Sequence, residues 1–444
     1  MEPDQEQADA SQFRPYRFPR LSSPGAIWVL GAAIIGVASL AAPPGRGWLG
    51  LQALIAEAAG IVLTVFLVSH GDWTRARAFD AFCTGPNSLV LGFLGWVSLS
   101  AALSPLPDYS RTEALRHIGG AMIYFAVVHG ISVRRHLGML LLALAVATIC
   151  ATFGAGERLM RMDSPFISGA YQNTQLLAAF LGLILPLLVV GAVAAEWSVA
   201  QVFCQAGTIV AAAGVLLTRN RSTWIGVAVS AIVLVLLWYL IARAEKGSLR
   251  SRHLVVPIVS TLTVLALFAT TFRADVISVP RLGSLLSLRE DTNFQWRIGM
   301  WSKAVRMIGD RPLFGWGVGL FPLRQALYHH SAVHPVMERD IARDGANLSH
   351  NAHNTYLQMG AELGLPGLVL YLGILVGWFR HVLVRLHDPP ESSSRYLLAG
   401  CIAGVAGQMF TALGSPAWEL AQCSVFFWLM LGLGMALAHD DTRG

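Results

Sequence analysis

Hydrophobic and polar positions fall into long blocks along this chain. Apolar runs of roughly 17 to 22 residues, long enough to cross a hydrocarbon core as helices, recur at 26–42, 48–69, 88–103, 114–130, 137–153, 175–195, 202–218, 224–241, 255–272, 365–379, 396–413 and 419–438. The polar intervals between them are short except one, from Arg273 to about Glu362. No strand-like alternation suggests a closed barrel, and backbone groups in lipid have no water to bond, so helices are the remaining option. The pattern predicts an all-α polytopic membrane protein of about twelve transmembrane helices with a large, partly helical outer loop. Its divisions are a tail over 1–25, a bundle over 26–272, the loop over 273–362, helices over 363–438 and a tail over 439–444.

Composition agrees with this class. Of 444 residues, 55% are hydrophobic and 13% charged, and the mean hydropathy is +0.56, whereas soluble domains carry about 25% charged residues. Small residues at 39–41 could pass for a signal-peptidase site, but the membrane pattern continues downstream, so the first span is read as uncleaved. Arginines and lysines in short loops mark the cytoplasmic side. With Arg14, Arg17 and Arg20 inside, the inside loops hold Arg75, Arg77, Arg134, Arg135, Arg243, Lys246, Arg250, Arg252, Arg380, Arg385 and Arg395. Both termini are then cytoplasmic. The long loop, and the short turn with Arg219 and Arg221, face the outside, which is the periplasm where the host has two membranes. The net charge of +6 is largely this bias, and no motif points to nucleic acid. Four of the five cysteines, Cys83, Cys150, Cys204, Cys401 and Cys423, fall in or beside spans, and none lies in the loop. Neither a disulfide framework nor a CxxC metal site is supported.

Candidate chemistry sits at three places. The first is Thr218-Arg219-Asn220-Arg221-Ser222-Thr223-Trp224. An arginine at a span end either snorkels to the interface or meets an anion, and a guanidinium matches phosphate oxygens bidentately at any relevant pH. The second is Arg297 to Gly319, where Ile298, Trp301, Val305 and Ile308 recur at helical spacing and predict an amphipathic helix against the membrane or the bundle. Asp310, Arg311 and Pro312 end it. The run Gly315-Trp316-Gly317-Val318-Gly319 allows close backbone approach to a ligand or a neighbouring helix; without GxxxxGK[ST] it is no nucleotide loop. The third is His350-Asn351-Ala352-His353-Asn354-Thr355. Asn351 and Asn354 suit helix caps, with Gly364 and Pro366 stopping that helix before the next span. A helix start disfavours imidazolium and favours phosphate. Three readings of the histidines stand: general base, metal-ligand pair with His329, His330 or His334 nearby, and capping residues without chemistry.

At these residues the chain resembles the O-antigen ligase and O-antigen polymerase superfamily. The resemblance rests on Arg297, Trp301, Asp310, Pro312 to Gly315, Gly317, Gly319 and Phe321, then His353-Asn354-x-Tyr356-Leu357-Gln358 and Glu362-x-Gly364-x-x-Gly367. Thr218-x-x-Arg221-x-x-Trp224 is similar to the family's short arginine motif, and Gly169-x-x-x-Asn173 to its Gly and Asn loop. The resemblance implies a GT-C-like, inverting glycosyltransferase that needs no metal or other cofactor. It would take glycan from undecaprenyl diphosphate and pass it to lipid A core, as a ligase, or to a growing glycan, as a polymerase. Arg221 and Arg297 would hold the donor diphosphate, with Arg219 a second candidate. His353 would activate the acceptor hydroxyl, with His350 a second candidate base. Asn220 stands where a small Ser is common in the family.

Two other classes compete. A transporter or flippase predicts functional charges near the midplane and an internal repeat between halves; no repeat is visible, and Arg and His concentrate at one face. A non-catalytic envelope scaffold predicts that the Arg and His set is replaceable. Glu57, Gln175, Gln205 and Gln408, within spans, are read as helix-packing groups, and acceptor recognition is assigned to loop surface including residues 328–346.

Overall fold

The structure, a computed structural model, describes residues 85–130, 133–153, 173–195, 198–244, 292–328, 351–386, 392–415 and 421–439, with isolated positions before residue 85. The expected spans at 26–42 and 48–69, apart from those isolated positions, and the span at 255–272 lie outside the described residues, as do Glu57, Gly169 and His350. The helices are α1 (Gly85–Ala102), α2 (Pro107–Gly130), α3 (Val133–Phe153), α4 (Thr174–Ala194), α5 (Ser198–Leu217), α6 (Arg221–Ala244), α7 (Thr292–Asp310), the short α8 (Phe321–Arg324), α9 (Thr355–Arg385), α10 (Ser392–Thr411) and α11 (Ala421–Ala438). No strand occurs among the described residues.

Among the described residues, five stretches are long and apolar enough to cross a membrane: His136–Phe153, Thr174–Ala194, Ser198–Leu217, Arg221–Arg243 and Thr355–Arg385. The most apolar of them, α4, is buried all round from Leu176 to Ala192, as expected of a helix without a polar face. Around it pack α5, α6 and α10; α3 joins through α5, α11 packs on α2 and α10, and α9 lies on α1. Gln408 is buried on α10, whereas Gln205 is exposed on α5.

Small residues set the closest approaches. A Cβ at Gly226 of α6 would strike Thr411 Oγ1 and lie 2.6 Å from the Gly407 carbonyl oxygen of α10. One at Gly407 would strike Ser230 Oγ and lie 2.5 Å from the Gly226 carbonyl oxygen, and one at Gly404 would strike the Leu183 carbonyl of α4. Without side chains there, α10 seats backbone to backbone against its neighbours, the packing that drives helix association in lipid.

Helix α7 packs against α9, and its apolar stripe divides between covered and exposed positions. Ile298 and Val305 are exposed, while Met300, Ala304 and Met307 are buried with Phe321, Ala352 and Ala361 in a small second core. The helix has apolar residues on two sides, and small or flexible Ala and Met fill the narrow space against α9. The stop expected at Gly364 and Pro366 is present within α9. The helix breaks there, with φ 72° and ψ −179°, and continues to Arg385. Groups freed by the break and by Pro366 are satisfied from elsewhere: the Trp96 indole N–H of α1 donates to the Leu363 carbonyl at 2.8 Å, and the Leu365 N–H donates to the Pro312 carbonyl at 2.7 Å.

Gly407→Ala and Gly226→Ala should each destabilise the protein by on the order of 1–3 kcal/mol, the cost of overpacking a tight contact, read as a lower unfolding midpoint in detergent. Gly95→Ala, which would add its Cβ into open space, should leave the midpoint unchanged or raise it.

Candidate functional site: an arginine and histidine cluster where three helix ends meet

The arginine motif forms the start of α6. Thr218 and Arg219 close α5, with the Arg219 N–H donating to the Leu216 carbonyl. Asn220 then caps α6: its Oδ1 accepts from the Thr223 N–H at 3.3 Å, and its Nδ2 donates to Ser415 Oγ at 3.1 Å, just past α10. The side chain that departs from the family's common Ser thus joins two helix ends, which a Ser is too short to do in the same way. Trp224 donates its indole N–H to the Val215 carbonyl at 3.0 Å and fastens α6 to α5.

The histidine motif forms the start of α9. Asn351 Oδ1 accepts from the His353 N–H at 3.1 Å, which makes an Asx turn. Asn354 caps the helix by accepting from the Leu357 N–H at 3.0 Å. Thr355 N–H donates to the Ala412 carbonyl at 3.0 Å and Asn354 Nδ2 to the Leu413 carbonyl at 3.2 Å. Carbonyls left over where α10 ends thereby meet donors at the beginning of α9, so each helix supplies what the other's terminus lacks.

Arg297 of α7 completes the cluster. Its Nη1 donates to Ser222 Oγ at 3.3 Å, beside Arg221, the first residue of α6. The neighbouring Trp296 ring meets the His353 ring edge-on at 4.9 Å. Of the sequence-predicted residues, the structure thus joins Arg297 to the start of α6, which carries Arg221, and to His353. Arg219 sits in the preceding turn. Asn173, from the Gly and Asn loop, caps α4 by accepting from the Gln175 and Leu176 N–H groups.

Two observations set this region apart. Arg219 (φ 53°) and His353 (φ 51°) are the non-glycine residues with positive φ among the described residues, a conformation costing roughly 1–3 kcal/mol that collects at functional sites. The Thr223 and Thr355 hydroxyls and His353 Nδ1 are also buried without a hydrogen-bond partner. Burial, with the nearby Arg297 guanidinium adding to it, lowers the His353 imidazole from its ordinary 6.5 to about 4. The ring is therefore neutral near pH 7, beside a guanidinium and two helix N-termini whose dipoles attract negative charge. The arrangement favours negative charge, and the imidazole at its side is neutral. Among the described residues no group of three or more His, Cys, Asp or Glu is placed to hold a metal ion; His329, His330, His334 and His350 are not among them.

Glu362 was visible in the sequence only as part of a motif. In the structure its carboxylate, fully enclosed, accepts from the Gly319 N–H at 2.8 Å, the Phe321 N–H at 3.2 Å and Gln358 Nε2 at 3.0 Å. Gln358 Oε1 in turn accepts from the Ala352 N–H at 2.9 Å, next to His353. The glycine run wraps this carboxylate, and its close approach is to a helix: the Trp316 and Gly317 N–H groups donate to the Ala361 and Glu362 carbonyls at 3.0 and 2.9 Å. At Gly315, φ 64°, any side chain would strike the Glu362 backbone. Beyond it, Tyr328 Oη donates to Asp310 Oδ2, and the Trp316 ring lies under the Arg311 guanidinium, 4.2 Å from its centroid.

An all-helical membrane protein with an arginine and histidine cluster at one end of its bundle is the class so defined. Residues 206–372 match the model of the O-Antigen ligase family. The match takes in the arginine motif, α7 and the histidine motif. No curated protein matches the chain.

Two outcomes follow from the geometry. An unfolded His353 binds a proton at pH 6.5 and the folded one only near pH 4, so its contribution is intact above pH 6.5 and is lost as pH falls towards 4. In His353→Gln the drop in unfolding midpoint between pH 7 and pH 5 should be smaller than in the wild type. Glu362→Ala strands three donors, the Gly319 and Phe321 N–H groups and Gln358 Nε2, at about 1–3 kcal/mol for each that is buried, and should lower the unfolding midpoint more than Glu362→Gln, which keeps an acceptor oxygen.

Proposed function

We propose that this chain is a glycosyltransferase that moves a glycan from undecaprenyl diphosphate to an acceptor hydroxyl, as an O-antigen ligase acting on lipid A core. The observation that carries this reading is the convergence of Arg297, the Arg221-bearing start of α6 and a buried neutral His353. The family match supports transfer of glycan in general; donor and acceptor are our proposal. On this reading about twelve spans of a GT-C-like enzyme sit in the bacterial inner membrane with both termini cytoplasmic. The segment 273–362 forms the periplasmic catalytic loop between the bundle over 26–272 and the helices over 363–438.

Arg221 and Arg297, with Arg219 beside them, bind the diphosphate and balance the charge that grows on it as it leaves, an electrostatic role that needs no metal. His353 Nε2 takes the acceptor's hydroxyl proton, with His350 the alternative base. The acceptor oxygen forms its bond to the anomeric carbon from the face opposite the diphosphate. The carbon–oxygen bond to the carrier breaks with its electron pair on the diphosphate, and the configuration inverts. An imidazole held near pH 4 is a weak base. Loading the dianionic donor against Arg297 offsets the guanidinium's opposition and raises the imidazole's proton affinity, while burial, the larger cause of the lowered value, still acts against it. The transporter alternative draws no support from this cluster, which lies at helix ends and not along a path through the bundle.

The test uses purified protein with a synthetic undecaprenyl-diphosphate oligosaccharide, with and without lipid A core, in EDTA. Transfer to core should survive EDTA and fall at least a hundredfold, a scale typical of losing a transition-state partner, in Arg221→Ala, Arg297→Ala and His353→Ala. Chain extension without core would make the protein a polymerase of the same superfamily. Full activity in the variants overturns the site, and no turnover of lipid-linked glycan overturns the enzyme.

A further inference from the structure

We propose that the turn closing α10, from Thr411 to Ser415, is a positioning clamp that fixes Arg297 and the starts of α6 and α9 in one register for the donor diphosphate. This rests on the transferase reading, but its residues lie outside the matched segment 206–372 and belong to none of the motifs picked out in the sequence. Three separate contacts carry it. The Ala412 and Leu413 carbonyls take the Thr355 N–H and Asn354 side chain, which ties down the backbone that bears His353. Ser415 Oγ takes the Asn220 side chain, which ties down the turn between Arg219 and Arg221. Between them, Gly414 leaves the gap that Arg297 uses. A Cβ there would strike Ser222 Oγ, the acceptor of the Arg297 hydrogen bond, lying also 3.2 Å from Ser222 Cβ and 3.5 Å from Arg297 Nη1.

The clamp has a rigid base. Gly404 and Gly407 seat α10 against α4 and α6, one turn and more before the clamp, so the turn has little room to yield when a side chain is added. A methyl at 414 therefore moves Ser222 or Arg297, and the guanidinium loses its seat at the start of α6. That defect lies on the donor side of the reaction: it leaves the acceptor hydroxyl and the histidine backbone in place.

The experiment compares wild type, Gly414→Ala, Ser222→Ala and the double variant in the transfer assay, with donor and acceptor varied separately, and records unfolding midpoints and their response to undecaprenyl diphosphate. Gly414→Ala should lower kcat/KM for the donor about tenfold, with part of the loss in kcat because Arg297 serves both donor binding and the leaving diphosphate, while the acceptor KM stays within about threefold. Removing the hydroxyl that the new methyl strikes should bring the double variant back to the donor kcat/KM of Ser222→Ala alone. An unchanged donor kcat/KM in Gly414→Ala, a raised acceptor KM, or additive effects in the double variant overturns the clamp. If the wild type neither transfers glycan nor is stabilised by undecaprenyl diphosphate, the transferase reading fails instead. The midpoints then decide the clamp: additivity of the Gly414 and Ser222 substitutions overturns it, and suppression of one by the other upholds the contact.

Discussion

The contact on which the rest depends is the backbone approach of α6 and α10 at Gly226 and Gly407. In a bilayer no hydrophobic force favours one helix pair over another, because lipid tails are as apolar as leucine, so association relies on how closely surfaces fit. Two glycines facing each other let the helices meet without intervening side chains, and Gly404 does the same against α4. The position of α10 along its neighbours is thereby set within narrow limits. Its last turn arrives where α6 and α9 begin, and the polar groups left over at three helix ends find one another.

A second constraint acts on the polar interior. A helix that breaks near a membrane has to find partners for the backbone groups it frees. Here they come from an indole on α1 and a carbonyl beside Pro312, and the Glu362 carboxylate gathers amides that the glycine run would otherwise bury unpaired. The same carboxylate reaches through Gln358 to the residue before His353. The order of the site and the integrity of the broken helix therefore share one set of hydrogen bonds.

Much of the fold was legible from periodicity, because a span is a property of a local window. The segments expected at 88–103, 175–195 and 224–241 coincide with α1, α4 and α6 to within a few residues, and Asn354 as a cap follows from its own side chain. The burial of α7 was not legible. Ile298 and Val305 outrank Met300 and Ala304 in hydrophobicity, but which side is covered is decided by the space left beside α9. Arg297 and His353 were found through a motif; their juxtaposition was not, since 56 residues separate them in the chain. Ser222 was legible only as part of the arginine motif, and Ser415 and Gly414 carried no signal at all, because a small residue in a helix turn has meaning only once its neighbours are known. Trp96 carried none either, because the broken carbonyl it serves belongs to a distant helix.

The chain between Tyr328 and Asn351 starts and finishes at fastened points. Tyr328 is held by Asp310 and packs its ring edge-on to Trp316, while Asn351 is fixed by its bond to the His353 amide. The entropic cost of closing a loop grows only logarithmically with its length, so a change in the number of residues between these two anchors costs little by itself. Length can vary in that one passage at small expense while both fastened ends, and the hydrogen bonds beside them, stay as they are.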